Sequence, residues 1–592
     1  MTHRARRRSL MLTSAICLVA FVAPADARRH HRPPAAATGS SSSPAASPAS
    51  AGRPAGAVIP SAFAQPGDAD DGPAIGRAAA AAVARGVPLY IDRDYRFSGT
   101  LQLPPNLVLR SDFSDTKRLI STGTGDGIVI SGPIDMDGVV IDGALPQDAQ
   151  RSTNIVSGHC LIGIHGDMKG NPSYLSGVRI GRLRIQNTDR IGIVLANLAD
   201  VQVGRLELHR IYHAASIWTG MKGGHVGQLI ADDIGNLRTS GHRGGQAFLM
   251  TAEPAVQTDW YAIPGALPVS GFQLDNARIT RTTDTAFYVN DDRAKGIDGL
   301  VIGTVTIDTA GKDGFKIRSA FRPVTNTRIG SVQVKRVAGV GFSLQHVRRV
   351  AAQTVSVDQA GYDAVGDILG HPAPFNGDTL ARSISNVPEG VAIVNSDIVS
   401  IANLNVSHVT GSPANGAEGN GISLAGNKQV SINGNIDDTA GAGLRDSSNA
   451  DMDMALTLRD VSRRAAGGAF ALVTNDSRPW NATASYAAGD VVTLNGGAFR
   501  AIDQNSGQSP PDAAHWAPVN GDGSGNRYRL RMIESSGRPF AGNALRVNGA
   551  PDGMDVVVQA DPKVFTRSGG AVDRISPAAR MVRHDVEDTQ DN

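Results

Sequence analysis

Between residues 284 and 318 the chain concentrates groups able to move protons or hold an anion: Asp284, Tyr288, Asn290, Asp291, Asp292, Asp313, Lys316 and Arg318, with His346 further on. Two reactions suit that mixture. In elimination a base removes the proton α to a carboxylate while a cation neutralises the carboxylate; Lys316 or Arg318 would be the base, and the other, or Ca²⁺ held by Asp291 and Asp292, the neutraliser. In inverting glycoside hydrolysis two carboxyls about 6.5–9.5 Å apart flank one bond. Asp291 and Asp292 are chain neighbours whose side chains diverge, so Asp284 or Asp313 would have to pair with one of them. Basic groups beside carboxylates favour an acidic polysaccharide as partner, with elimination ahead of hydrolysis.

These residues need strands to position them. "TAFYVN", "DGFKIR" and "VGFSLQ" align when Phe287, Phe315 and Phe342 are made equivalent. Val289, Ile317 and Leu344 then point inward, and Tyr288, Asn290, Lys316, Arg318, Ser343 and Gln345 point outward. "IGIVLAN" at Ile191 and "AASIWTG" at Ala214 join the same register, so the outer face is apolar at Val194 and turns polar later. On that outer face Lys316 and Arg318 are expected to be exposed, with truncation costing no more than about 0.5 kcal/mol of stability. From Gly177 to Ile436 such strands recur roughly every 20 to 30 residues, punctuated by glycine and asparagine. That length suits one coil of a solenoid better than a β-sandwich. A solenoid face is a long shallow groove that accepts a linear polymer. The insertion from Met250 to Gly271 would wall it and offer Trp260 or Tyr261 as a sugar platform.

"GDADDGPAIGRAAAAAVARGVPLYI", Gly67 to Ile91, reads as a helix capped by Asp71, admitting Pro73 in its first turn and ended by Gly86, then a strand. It resembles the N-terminal cap of the pectate-lyase-like superfamily of right-handed parallel β-helices. The polygalacturonase pattern of that superfamily does not carry over: "NTD" at Asn187, "DD" at Asp232 and "GHRG" at Gly241 are spaced too widely, and "KIR" at Lys316 reverses the last motif.

A second resemblance lies between Trp480 and Trp516. The pattern Trp, "YAAGDVV", "NGGAFRA", proline and a closing Trp is similar to the small β-sheet carbohydrate-binding module of chitinases and cellulases. The resemblance implies sugar contact through Trp480 and Tyr486. The exposed aromatics of that module are replaced here by "IDQNS" at Ile502, so weak binding to chitin or cellulose is expected.

Arg4, Arg6, Arg7 and Arg8 precede an apolar run, Leu10 to Val22, and "ADA" at Ala25, which together read as an export signal, loosely of twin-arginine type. Its removal takes four arginines and Asp26, moving the formal charge from +2 to −1, so no electrostatic case for nucleic acid remains. No later stretch is apolar enough to span a membrane. Cys160 would be the sole mature cysteine and is expected to be a buried apolar group. The reading is an exported all-β protein: a signal (1–27), a linker (28–57), a right-handed parallel β-helix with an N-terminal capping helix (58–477), a small antiparallel β-sheet module (478–519), and C-terminal strands and tail (520–592). The strands beyond residue 519 admit a second arrangement, in which the module interrupts the solenoid's end rather than following it. The expected function is cleavage of a polysaccharide; the alternative is a non-catalytic surface protein that binds glycans with the same solenoid.

Overall fold

The structure, a computed structural model, describes residues 52–149, 159–167, 171–235, 245–251, 267–291, 295–362, 388–411, 419–462, 469–474, 478–486, 491–495, 497–501, 505–519, 526–533, 543–548, 555–560 and 580–585. Asp292, Trp260, Tyr261 and the signal segment lie outside the described residues.

The helix Gly72–Arg85 buries Ala74, Ile75, Ala78, Ala79 and Ala82 against the first coils and ends at Gly86, whose φ of 64° is left-handed. Its cap differs from expectation. The carboxylate that accepts the Gly72 N–H (2.8 Å) belongs to Asp70, while Asp71 accepts from the Arg96 backbone N–H (2.7 Å) and ties the helix start to a strand.

Beyond it rises a right-handed parallel β-helix. One column consists of short strands that include Ile191–Ala199, Ser216–Lys222, Phe248–Thr251, Phe287–Asp291, Phe315–Ser319, Phe342–Gln345, Glu389–Val394, Asn420–Ala425 and Leu444–Ser447. A second column of mostly longer strands runs alongside, from Val178–Thr188 to Asp453–Arg459 and on through Arg527–Ile533. Every neighbouring pair in these columns is parallel. Phe287 pairs with Phe315 and Phe315 with Phe342, so the register inferred from alternation is the observed one. Inside, the rings of Phe248, Phe287, Phe315 and Phe342 stack at centroid distances of 4.4, 4.8 and 5.2 Å with planes within 9°. That spacing is the strand repeat, so one aromatic per coil fills the core without a gap.

Turns are tied by buried asparagines. Asn427, Asn449 and Asn526 each give their side-chain amide to a backbone carbonyl of a preceding coil (2.7, 3.2 and 2.9 Å) and accept a backbone N–H through Oδ1. Groups that would otherwise be buried unpaired are thereby satisfied coil by coil.

The small module is inserted into the solenoid. Arg527–Ile533 stacks on Asp453–Arg459, and Asn543–Asn548 on Ala469–Thr474, so coiling resumes after residue 519. In the module Val491–Leu494, Gly497–Ala501 and Trp516–Val519 are antiparallel, and the pair Arg478–Pro479 with Val491–Leu494 is parallel. Tyr486, Val492, Ala501 and Trp516 form its core. Among the described residues no helix is long and apolar enough to cross a membrane.

Candidate functional site

The outer face of the short-strand column changes character along its length. In the early coils Val194, Ile217 and Leu249 stand in one outward line and are almost fully shielded from solvent, together with Ile191, Ala196 and the Cys160 thiol. The line then continues as Tyr288, Lys316, Ser343, Ala392, Ser423 and Arg445.

The shielding continues into the polar part, and this overturns the expected exposure of Lys316. Its side chain is outward but only 6% exposed, and its Nζ donates to Asp313 at 2.9 Å. Asp313 is fully buried and also accepts the Val340 N–H (3.0 Å). Burial works to raise the Asp313 pKa, but the Lys316 charge and hydrogen bond, the Val340 N–H and the Lys312 charge outweigh it and hold the carboxyl below its ordinary value.

Glu389 lies on the same face, two coils from Asp313. Phe315 pairs with Phe342 and Phe342 with Val391, so Asp313, Val340 and Glu389 are equivalent positions, each two residues before the inward side chain. Glu389 Oε1 accepts the Ser423 hydroxyl at 2.5 Å, and Asn420, its partner in the register, also faces Ser423. The residue as a whole is half-buried, yet its carboxyl is desolvated enough to be pushed up to about 7, against the Ser423 and Asn420 hydrogen bonds and the Arg445 charge, with the Asp313 charge adding to the rise. Two carboxyls on one face are thus driven in opposite directions, the condition under which one holds a proton near neutrality while the other stays ionised.

A line of glycines makes this close stacking possible. A Cβ on Gly314, Gly341, Gly390 or Gly421 would lie 2.5–2.8 Å from the carbonyl oxygen of the glycine in the next coil. "DGF", "VGF", "EGV" and "NGI" therefore form one column, and reading it as such points to Glu389 from sequence.

The other expected site residues fall as follows. Arg318 is half-buried and stacks between Asn290 and Gln345. Tyr288 is half-buried against the apolar patch, and Asn290 is buried beside it. Asp284 is buried and accepts from Thr285 N (2.7 Å) and Gln246 Nε2 (3.1 Å). His346 is half-buried in a turn at φ 54°. Asp291 is a correction as base, acid or metal ligand. It is fully buried and accepts the backbone N–H groups of Lys295 (3.2 Å) and Gly296 (2.9 Å), so it fixes a turn and presents N–H dipoles where a cation would need oxygen. Its two oxygens do not suit Ca²⁺, and among the described residues no group of three His, Cys, Asp or Glu side chains gathers to hold a metal. Tyr486 is a second correction. It is buried, packs edge-on to Trp516 at 5.1 Å and bonds Asn481 through its hydroxyl, so it has no face to offer a sugar. Trp480 is half-buried, its indole N–H donating to the Gln508 carbonyl (2.9 Å).

No protein-family model matches the chain, and no curated protein does. Among solved structures it is similar to the A-module of a mannuronan C-5 epimerase from Azotobacter vinelandii, at 12% identity and a TM-score of 0.36 over 89% of this chain and 99% of that one. It is similar to tailspike protein 3 of bacteriophage CBA120 at 10% identity and 0.36, over 86% and 63% of the two chains. It is also similar to the catalytic unit of an α-1,3-glucanase from Streptomyces thermodiastaticus, at 15% identity and 0.28, over 80% and 72%.

Proposed function

We propose that the protein is an exported enzyme that cleaves an acidic polysaccharide by β-elimination on the outer face of the short-strand column, with Glu389 as the base. The observation that carries this reading is the enclosed Glu389 carboxyl, bonded to Ser423 and set among Asn420, Arg445 and the Asp313–Lys316 pair.

A carboxyl that titrates near neutrality is suited to take and return a proton. Ionised Glu389 removes the proton α to a uronate carboxylate. The freed electron pair forms the ring double bond as the glycosidic C–O bond breaks, and the departing oxygen is protonated by the acid just formed or by water. Arg445, at the exposed end of the line, neutralises the uronate carboxylate and makes the α proton more acidic. Lys316 is not the base, because its ammonium is committed to Asp313. The same pairing argues against hydrolysis: Asp313 is shut away from water and cannot activate one.

The test is a panel of uronate-containing and neutral polysaccharides assayed for new reducing ends with ultraviolet absorbance in parallel. New ends with absorbance, abolished in Glu389→Gln, support elimination. Ends without absorbance overturn it in favour of hydrolysis, and no new ends on any substrate would leave a glycan-binding protein.

A further inference from the structure

The other strand column carries a polar hollow of its own. The strand Asp397–Val409 shifts register between Ile401 and Leu404 against Lys428–Thr439, so Ala402 and Asn403 together oppose Asn433. The bulge faces a hollow of about 440 Å³ whose polar lining includes Asn405, Asn433, Asn435, Thr457, Arg529 and Arg531. Gly434 sits at its floor, where a Cβ would meet the Leu404 carbonyl at 2.2 Å, so no side chain can fill the depression from below. Successive coils deliver the lining as rungs: Asn405, Asn435, Thr457 and Arg531 are register partners, as are Asn433, Ala455 and Arg529.

We infer that this trough is an accessory binding site for a carboxylate-bearing oligosaccharide, separate from the face that carries Glu389. Asparagine amides offer both a donor and an acceptor to sugar hydroxyls, and arginine grips a carboxylate with two parallel N–H groups. The Asn435 amide donates to Asn405 Oδ1 at 3.2 Å, which leaves the Asn405 amide hydrogens and the Asn435 oxygen without a side-chain partner among the described residues. Arg529 pairs with Asp453 at 3.1 Å, whereas Asn433, Thr457 and Arg531 spend no side-chain hydrogen bond on another described residue. Among the described residues no carboxylate lines the hollow, and with Arg529 paired to Asp453 it is Arg531 that leaves it a positive charge, so its match is an anion. The coil repeat of about 4.8 Å is comparable to one pyranose unit, so an extended chain lying along the solenoid axis meets one rung per sugar. With no aromatic ring among the described lining residues, binding depends on charge and hydroxyl contacts and weakens with salt.

The site is tested by titration calorimetry on the full chain carrying Glu389→Gln, which slows turnover, using short oligouronates, a sulfated oligosaccharide and cello-oligosaccharides as probes. Oligouronate binding should fall about tenfold in Arg531→Ala and comparably in Asn433→Ala with Asn435→Ala, with the melting temperature unchanged because all three side chains are exposed. An equal loss in Arg445→Ala alone, with none from the trough variants, would place the ligand on the Glu389 face and overturn the proposal. Equal binding of cello-oligosaccharides would overturn the anionic assignment, and preference for the sulfated probe would overturn the carboxylate one. In the active protein Arg531→Ala should raise KM on polymer, and an unchanged KM there would overturn the accessory role. Arg531-dependent binding in a protein that cleaves nothing would sink the Glu389 reading and leave this one standing.

Discussion

Val194, Ile217 and Leu249 occupy the same outward line as Lys316, Ser423 and Arg445, on the same column of strands, yet one set is apolar and the other polar. The backbone does not distinguish them. Both stretches contain side chains shielded almost completely from water: Ile217 is 1% exposed and Lys316 6%. In the apolar stretch this shielding simply extends the hydrophobic packing. In the polar stretch it strips water from ionisable groups, so charge must be paired, as in Asp313 with Lys316, or suppressed, as at Glu389. The difference shows that enclosing a solenoid face is structural and that the charge state of the face follows from which residues are enclosed.

The sharpest way to test that distinction is to remove the proton-transfer group and keep its shape. Glu389→Gln should lower kcat by roughly 10² to 10⁴ on the cleaved polymer. Its effect on stability carries a sign. Glu389 is raised from 4.5 to about 7 in the fold, so folding favours the protonated form and the wild type loses stability as pH rises from 4.5 through 7. The glutamine variant escapes that loss and should melt higher relative to wild type at pH 8 than at pH 5. Undiminished turnover in this variant would end the case for Glu389 as the base.

The next effect is on stability. Lys316→Ala leaves the Asp313 carboxylate buried without its cation, a change that typically costs 3–5 kcal/mol, about ten times what an exposed lysine would forfeit. Asp313→Asn combined with Lys316→Met should recover most of the loss in melting temperature, because neither partner is then charged. If Lys316→Ala alone melts like wild type, the polar stretch is open to solvent and the comparison with Ile217 fails.

Polarity also penetrates to the inside of the late coils. The inward line Val289, Ile317, Leu344, Ile393 and Leu424 reaches Asp446 in the next coil, which is fully buried and bonded to the Tyr528 hydroxyl and the Asn449 amide, both at 2.6 Å. Burial raises its pKa from 3.8 to about 6, against those two hydrogen bonds. The protonated form is therefore the one folding favours, and stability falls as pH climbs from about 4 to 6. Above that range the ionised carboxylate costs on the order of 3 kcal/mol. Asp446→Asn should consequently gain on the wild type between pH 4 and pH 8, as read by the difference in melting temperature. A difference independent of pH would show that Asp446 titrates normally.

The alternation of apolar and polar residues around Phe287, Phe315 and Phe342 was enough to set the register, because a one-residue slip would have turned every phenylalanine outward. The location of the candidate site was less legible. Charges cluster densely in the chain at residues 284–318, but the fold uses Asp291 to hold a turn and Lys316 to neutralise Asp313. Glu389 stands alone in an apolar strand, separated in sequence from Asp313 by more than a coil, and only the glycine column aligns the two. Burial of an outward position depends on what lies over it, which alternation does not report. Tyr486 departs from the resemblance for a related reason: an aromatic in a very small sheet is needed for its core before it is available to a ligand.

The smallest effect separates the two stretches most finely, by making changes of similar size in each. Ile217→Val trims one methylene from the apolar stretch and should cost about 0.5–1.5 kcal/mol without altering any pH profile. Ser423→Ala removes a hydroxyl hydrogen bond and should cost about 1 kcal/mol, a comparable amount. Its second consequence has no counterpart in Ile217. The Ser423 hydroxyl donates to Glu389 and favours the ionised carboxylate, so its loss leaves desolvation less opposed and moves the Glu389 pKa above about 7. With Glu389 as base, the rising limb of kcat against pH should shift to higher pH in Ser423→Ala and stay in place in Ile217→Val. Both variants would melt slightly early, and only one would need more alkaline conditions to reach full rate. A shift in both, or in neither, would mean that the hydroxyl does not tune the group that performs the chemistry.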